Sequence, residues 1–262
     1  KHPRQLNDLR LKIKEYINED DKPNCIVPFS GGRDSTFALH FIKKELGLNP
    51  IAFTYDWGMV TDLARRNIAR VCGKLGVENI IVAADINLKR KYIRDNVNAW
   101  LRNPSLGMVP LFMAGDKQFF YHTEELKKKT NIKLNIWGIN ELENTDFKIG
   151  FANVSPNFNK KDIYALSLSQ KFSLLSYLIK NLITTPEYIN ESLFDNLKGH
   201  FSRFSHSKDH FFNFFDYYEW NENEINDLII KEYNWETAVD TVSTWRIGDG
   251  TASFYNYIYY TV

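Results

Sequence analysis

Six consecutive residues, Ser30-Gly31-Gly32-Arg33-Asp34-Ser35, stand between a short apolar run (Cys25 to Phe29) and an apolar helical stretch from Thr36 to about Leu46. Two glycines let a backbone turn tightly and approach a ligand with no Cβ in the way. Backbone N–H groups then converge, and the helix that follows offers its unpaired N–H groups and the positive end of its dipole. Ser30 and Ser35 add hydroxyls, while Asp34 is suited to cap the helix or to hold a divalent cation. Such a loop favours a polyanion. Neither G-x-x-x-x-G-K-[ST] nor G-x-G-x-x-G occurs at this strand-to-helix junction, which excludes two other phosphate-binding loops.

The surrounding pattern supplies the elements that must hold the loop in place. Residues 4–18 carry Leu6, Leu9, Ile13 and Ile17 at helical spacing, which predicts an amphipathic lead-in helix. Strands are expected at 25–29, 50–56, 79–84 and 133–137. Helices are expected at 36–46, 61–75, 87–102 and 116–129, with Gly47 and Gly76 as stops. Alternating strands and helices predict an α/β protein with a Rossmann-like parallel sheet covered on both faces. Beyond about Ser155 the texture becomes helical (161–183, 186–198 and 222–232). The expected organisation is therefore a lead-in helix at 1–23, a nucleotide-type domain at 24–154 and an α-rich C-terminal lobe at 155–262, returning to the active site.

Composition narrows the class. The chain has 262 residues, 44% of them hydrophobic and 25% charged, as in a folded globular protein rather than a low-complexity one. Lys plus Arg number 33 against 32 Asp plus Glu, so no global field points to nucleic acid. The 39 aromatic residues read first as a core of large rings and second as a stacking or subunit surface, which leaves a homo-oligomer open. Cys25 and Cys72 form no CxxC pair, which excludes a disulfide framework and a cysteine-based zinc site. With no membrane-length apolar run and a charged first stretch, a cytoplasmic setting is expected.

The hexapeptide, S-G-G-x-D-S, is the signature of the PP-loop, or N-type ATP pyrophosphatases, and five such fixed residues arise by chance in on the order of one chain in several thousand. The chain therefore resembles the adenine-nucleotide α-hydrolase (HUP-type) superfamily, whose PP-loop members cleave ATP between its α and β phosphates. The resemblance implies ATP and Mg²⁺, with Ser30, Gly31, Gly32, Arg33, Asp34 and Ser35 at the pyrophosphate end. It sets Phe53, Thr54 and Tyr55 beside adenine and ribose, and Gly138 and Asn140 facing the loop. Asp34 and Ser35 take catalytic parts. Glu141, in an acidic stretch with Glu143 and Asp146, is a metal ligand or part of a solvated loop, and Arg33 meets phosphate or faces solvent. Arg246, in Thr244-Trp245-Arg246-Ile247-Gly248-Asp249-Gly250, either returns to the departing pyrophosphate or pairs with Asp249. The two glycines after it suggest backbone shaped for close ligand approach.

A narrower resemblance covers most of the chain. Residues 25–35, 106–117, 136–140 and 243–248 look like those of N-acetyl sugar amidotransferases of surface-polysaccharide (lipopolysaccharide) biosynthesis. That likeness implies an AMP-forming ligase that adenylates the N-acetyl oxygen of a nucleotide-linked sugar, or of another small acceptor, and then transfers ammonia. A separate glutaminase subunit would supply the ammonia, with neither membrane nor nucleic acid as partner. A tRNA-modifying PP-loop enzyme and a non-catalytic adenine-nucleotide binder are the alternatives. Some members carry cysteine pairs near the N-terminus and in the middle loop, and the middle loop here has none. His200, His206 and His210 match no zinc spacing. Lys89, Arg90, Lys91 and Arg94 form a basic face that meets RNA or solvent. Asp116 and Lys117 touch substrate or merely open a helix.

Overall fold

A computed structural model describes residues 5–17, 22–110, 114–115, 117–140, 167–205, 210–245 and 247–262. The elements are α1 (Leu6–Ile13), β1 (Cys25–Pro28), α2 (Arg33–Lys44), β2 (Pro50–Asp56), α3 (Asp62–Leu75), β3 (Asn79–Ala83) and α4 (Ile86–Arg102). They continue with α5 (Gln118–Thr130), β4 (Leu134–Trp137), α6 (Leu168–Thr184), α7 (Glu191–Ser205), β5 (Phe211–Asn213), α8 (Glu222–Tyr233) and α9 (Ala252–Thr261). They form two compact units. The first comprises 1–84, 121–140 and 205–252, and the second 85–120, 141–204 and 253–262.

The first unit holds one sheet in the order β3-β2-β1-β4-β5, and every neighbouring pair is parallel. This is the Rossmann-like arrangement expected from the alternating pattern, with the order reversing between β1 and β4. α2 links β1 to β2 and α3 links β2 to β3 in one direction along the sheet, whereas β4 is added on the opposite side of β1. Core residues include Val27, Phe37, Leu39, Ile42, Leu134 and Ile136, all fully buried. α1 seats Leu9 and Ile13 there, whereas Ile17 lies beyond the helix and is exposed.

Two departures from the sequence reading concern the C-terminal half. Residues 205–252, expected within an α-rich lobe, lie with the sheet. They contribute β5 and then α8, which packs on α2 and α3. β5 escapes pattern reading because it is three residues long and sits inside an aromatic-rich run. The rings pack as a core: Phe37 stacks on Phe215 and Phe214 on Tyr218, and Phe214 and Phe215 are buried. The other departure is at Pro186, where the expected 186–198 helix resolves into a 3₁₀ turn at Pro186–Tyr188 and a separate α7. Of the expected 161–183 helix, residues 161–166 lie outside the described residues, and α6 begins at a Ser167 capping box.

In the second unit, α4 does not present the four-residue basic face. Lys89 is 3% exposed, and its ammonium donates to Ala114 O, Gln118 Oε1 and Asp195 Oδ2 at 3.1–3.3 Å. Lys91 pairs with Asp95 and Glu191, and Arg94 with Asp95. Buried Asn96 bonds Ser192 and Asn190 of the α7 entrance. Among the described residues no helix is long and apolar enough to cross a membrane.

Candidate functional site

β1 delivers its chain to the sheet's carboxyl edge at the point where strand order reverses, and there Ser30-Gly31-Gly32 turns into α2. Parallel sheets of this kind bind ligands in that crevice. Phe29 is locked to β2 from both sides: its N–H donates to Phe53 O at 2.7 Å, and Thr54 Oγ1 donates to its carbonyl at 2.6 Å. Gly31 has φ +74°. A Cβ there would lie 2.6 Å from Ile68 Cγ1 and 2.8 Å from Ala64 O, so both backbone conformation and space require glycine. Gly32 is the N-cap of α2 and supplies no side-chain cap. Ser35 Oγ donates to Gly32 O at 3.1 Å and lies 3.2 Å from Ser30 Oγ, which accepts from Gly32 N–H at 3.3 Å. The two serines thus face one another across the turn, beside the first-turn N–H groups.

Asp34 and Arg33 turn inward. Arg33 is 4% exposed and does not face solvent. Its Nε donates to Asp34 Oδ1 at 2.9 Å, and its Nη1 donates to Glu222 Oε1 at 2.5 Å and Thr244 Oγ1 at 2.9 Å. The guanidinium also lies 4.9 Å from the Trp220 ring centroid. Asp34 Oδ1 accepts a second bond from Trp220 Nε1 at 2.9 Å, and Oδ2 accepts from Asn140 Nδ2 at 2.6 Å. Both carboxylate oxygens are therefore engaged by N–H donors, and Asp34 is not a fitting ligand for Mg²⁺ in this arrangement. Among the described residues no three His, Cys, Asp or Glu side chains converge as a metal site.

Of the remaining residues expected at the site, Gly138 brings the end of β4 against α2. A Cβ at Gly138 would stand 2.6 Å from Ala38 Cβ and 3.1 Å from Asp34 O. Asn140 is fully buried. The side chains of Phe53 and Thr54 are buried, and Tyr55 stacks at a tilt on His122, 4.9 Å between ring centroids. Glu141, Glu143, Asp146, Arg246, Asp116 and His206 lie outside the described residues, as does the His200 side chain. The segment after Arg246 is zipped to the chain following β2. Thr61 N–H donates to Gly248 O, Gly250 N–H donates to Met59 O, and Asp249 bridges Val60. A Cβ at Gly248 would lie 2.9 Å from Ala64 Cβ. Close packing of the chain at Ala64 and Met59 is sufficient to account for glycine at 248 and 250. Asp249 Oδ1 accepts from Thr251 N–H.

Trp220, Glu222, Thr244 and Trp235 were not singled out from the sequence. Trp235 Nε1 donates to Gly31 O at 3.0 Å. Trp220 ends a run that reads as core, Thr244 stands in the quoted 244–250 stretch without a role of its own, and no local pattern marks Glu222 or Trp235. Both cysteines are buried, and burial pushes their thiols up, Cys72 to about 11. Neither is disposed to act as a thiolate.

No family model matches the chain. An uncharacterized protein of Methanocaldococcus jannaschii, MJ1599, is 29% identical over 89 residues, 32% of each chain. An argininosuccinate synthase of Pelagibacter ubique is 28% identical over 85 residues, 32% of this chain and 20% of the relative. The matches thus span about a third and a fifth of these curated relatives. Among solved structures, an NMN synthetase from Francisella tularensis has TM-score 0.40 and 15% identity, covering 90% of this chain and 95% of its own. An NH3-dependent NAD synthetase from Campylobacter jejuni has TM-score 0.39 and 14% identity, covering 87% and 89%. A predicted tRNA methyltransferase subunit from M. jannaschii has TM-score 0.36 and 14% identity, covering 79% and 74%. Likenesses this distant leave the chemistry to be read from the site itself.

Proposed function

We propose that the chain is an ATP pyrophosphatase of the PP-loop class, which cleaves ATP to AMP and pyrophosphate while adenylating a carbonyl oxygen of its acceptor. The observation that carries this reading is the Ser30–Ser35 turn at the switch point of a 3-2-1-4-5 sheet, with α2 uncapped by any side chain of Gly32. A glycine turn, two hydroxyls and a helix N-terminus converge without a basic side chain of the loop pointing outward, since Arg33 is committed to Asp34 and Glu222. That array suits the spread negative charge of a pyrophosphate leaving group, which it can neutralise without reorganising.

The acceptor class follows from the likeness to N-acetyl sugar amidotransferases. The acetamido oxygen of a nucleotide-linked sugar attacks the α phosphorus, the α–β bridging bond breaks, and pyrophosphate departs. Ammonia then adds to the imidate carbon, and AMP leaves with the former amide oxygen to give an acetamidino group. In this chain the loop N–H groups and the hydroxyls of Ser30 and Ser35 would hold the pyrophosphate end. Asp34, Asn140 and Arg33 keep those donors in register. ATP brings Mg²⁺ on its own phosphates, and no step here is assigned to the ion. Ammonia comes from a separate glutaminase partner.

The test is a pyrophosphate-release assay across nucleotide-sugars with ammonium supplied. Acceptor-dependent AMP and pyrophosphate in equal amounts are expected. ADP and orthophosphate as products would overturn the class. Turnover with tRNA but with no nucleotide-sugar would overturn the acceptor.

A further inference from the structure

The geometry points to Trp235 as a positioning residue for the anion-binding loop, setting which way the Gly31–Gly32 peptide faces. This rests on the proposed phosphate role of the loop. That peptide is flanked by glycine on both sides, so it is the one unit of the turn whose plane can rotate with no Cβ to resist it. In a trans peptide the C=O and N–H point in opposite directions. Trp235 Nε1 donates to Gly31 O at 3.0 Å from a side chain only 3% exposed. Its grip on that carbonyl therefore turns the Gly32 N–H to the other side. There it meets Ser30 Oγ at 3.3 Å, among the first-turn donors of α2. A flipped peptide would aim a carbonyl oxygen at the bound phosphate instead of an N–H, replacing attraction with repulsion.

Trp235 is itself held by α3. Asn67, buried on that helix, receives the Glu236 N–H at 2.8 Å and returns a bond to Glu236 O at 3.0 Å. Its neighbour Arg66 and, one turn on, Arg70 pair with the Glu236 carboxylate. Arg70 also donates to Asn234 O, the residue before the tryptophan. The same helix carries Ala64 and Ile68, which confine Gly31 from its other side. The indole and the surface that fixes Gly31 are thus both referenced to α3, and the orientation of the peptide is set by one rigid element.

The experiment compares wild type with Trp235→Phe, which keeps an aromatic ring and loses the N–H. Binding of inorganic pyrophosphate is measured by calorimetry, and the Gly32 amide is followed by NMR on ¹⁵N-glycine-labelled protein. We expect a pyrophosphate Kd at least tenfold weaker, a displaced Gly32 resonance and a Tm lowered by a few degrees with the cooperative fold retained, since a buried carbonyl loses its donor. If Trp235→Phe fails to fold, benzothienylalanine at position 235, isosteric with tryptophan and lacking the N–H, makes the same comparison. Unchanged Kd and Gly32 resonance in a folded variant would overturn the inference. Wild type that binds no pyrophosphate would overturn the phosphate role of the loop, and then the Gly32 resonance alone decides whether Trp235 sets the peptide.

Discussion

Asn140 donates to Asp34 Oδ2 at 2.6 Å, and this bond joins the chain leaving β4 to the first turn of α2 across the point where the strand order reverses. Both partners are buried. Asn140→Ala leaves one carboxylate oxygen short of its nearest donor, at a cost of about 1–3 kcal/mol. Asn140→Asp sets two carboxylates against each other and should be worse, because a like charge replaces a donor. Chemical denaturation of the two variants checks the order. Asn140→Asp as stable as Asn140→Ala would show that the contact does not depend on the charge of Asp34.

How much of this was legible beforehand depends on the range over which each feature is encoded. The loop, β1 and α2 were readable because a glycine pair, flanking hydroxyls and an apolar run are local. Gly76 at the end of α3 was readable for the same reason, and it adopts φ +62°. The inward turn of Arg33 was not, because its partners Glu222 and Thr244 lie 189 and 211 residues away. Nothing near Arg33 distinguishes a solvated arginine from one closing a buried ring of contacts. The glycines at 248 and 250 were seen as sites of close approach, but only the fold reveals that what approaches is Ala64 and Met59.

Two glycines with nearly the same backbone should respond very differently to alanine. Gly31 and Gly47 have φ +74° and +69°, yet a Cβ at Gly47 meets nothing within 4 Å. Gly47→Ala should lose about 1 kcal/mol, the conformational penalty alone. Gly31→Ala adds overlap with Ile68 and Ala64 and should lose about 2–5 kcal/mol. Paired thermal melts would test this, and equal losses would mean that the α3 contact yields readily.

Arg33 offers a test of how burial weights ion pairs. Its partner Asp34 is nearly buried, whereas the Glu222 side chain is 48% exposed. Arg33→Ala strands a buried carboxylate and should cost about 3–5 kcal/mol. A double-mutant cycle with Asp34→Ala should then give the larger coupling, and one with Glu222→Ala a coupling below about 1 kcal/mol. Pyrophosphate release should fall with Arg33→Ala even under conditions where the variant remains folded, because the first turn of α2 loses its anchor. The reverse order of couplings would place the anchor at Glu222.

His40, on α2, meets Tyr233 of α8 with Nδ1 2.5 Å from the hydroxyl. Desolvation holds the imidazole below its usual value near 6.5, against the opposing pull of Glu45 and Glu232, with Lys44 adding to the depression. Burial also raises Tyr233 to about 12, so the phenol stays protonated beside the ring. A histidine with a depressed folded-state value binds fewer protons in the native than in the unfolded chain as pH falls through the unfolded value. Stability contributed by the neutral ring is therefore present above pH 6.5 and declines as acid titrates toward the folded value. Unfolding midpoints in denaturant should drop between pH 7.5 and 5.5, and His40→Gln should flatten that slope while keeping a polar partner for Tyr233. An unchanged slope in the glutamine variant would assign the acid sensitivity to other groups.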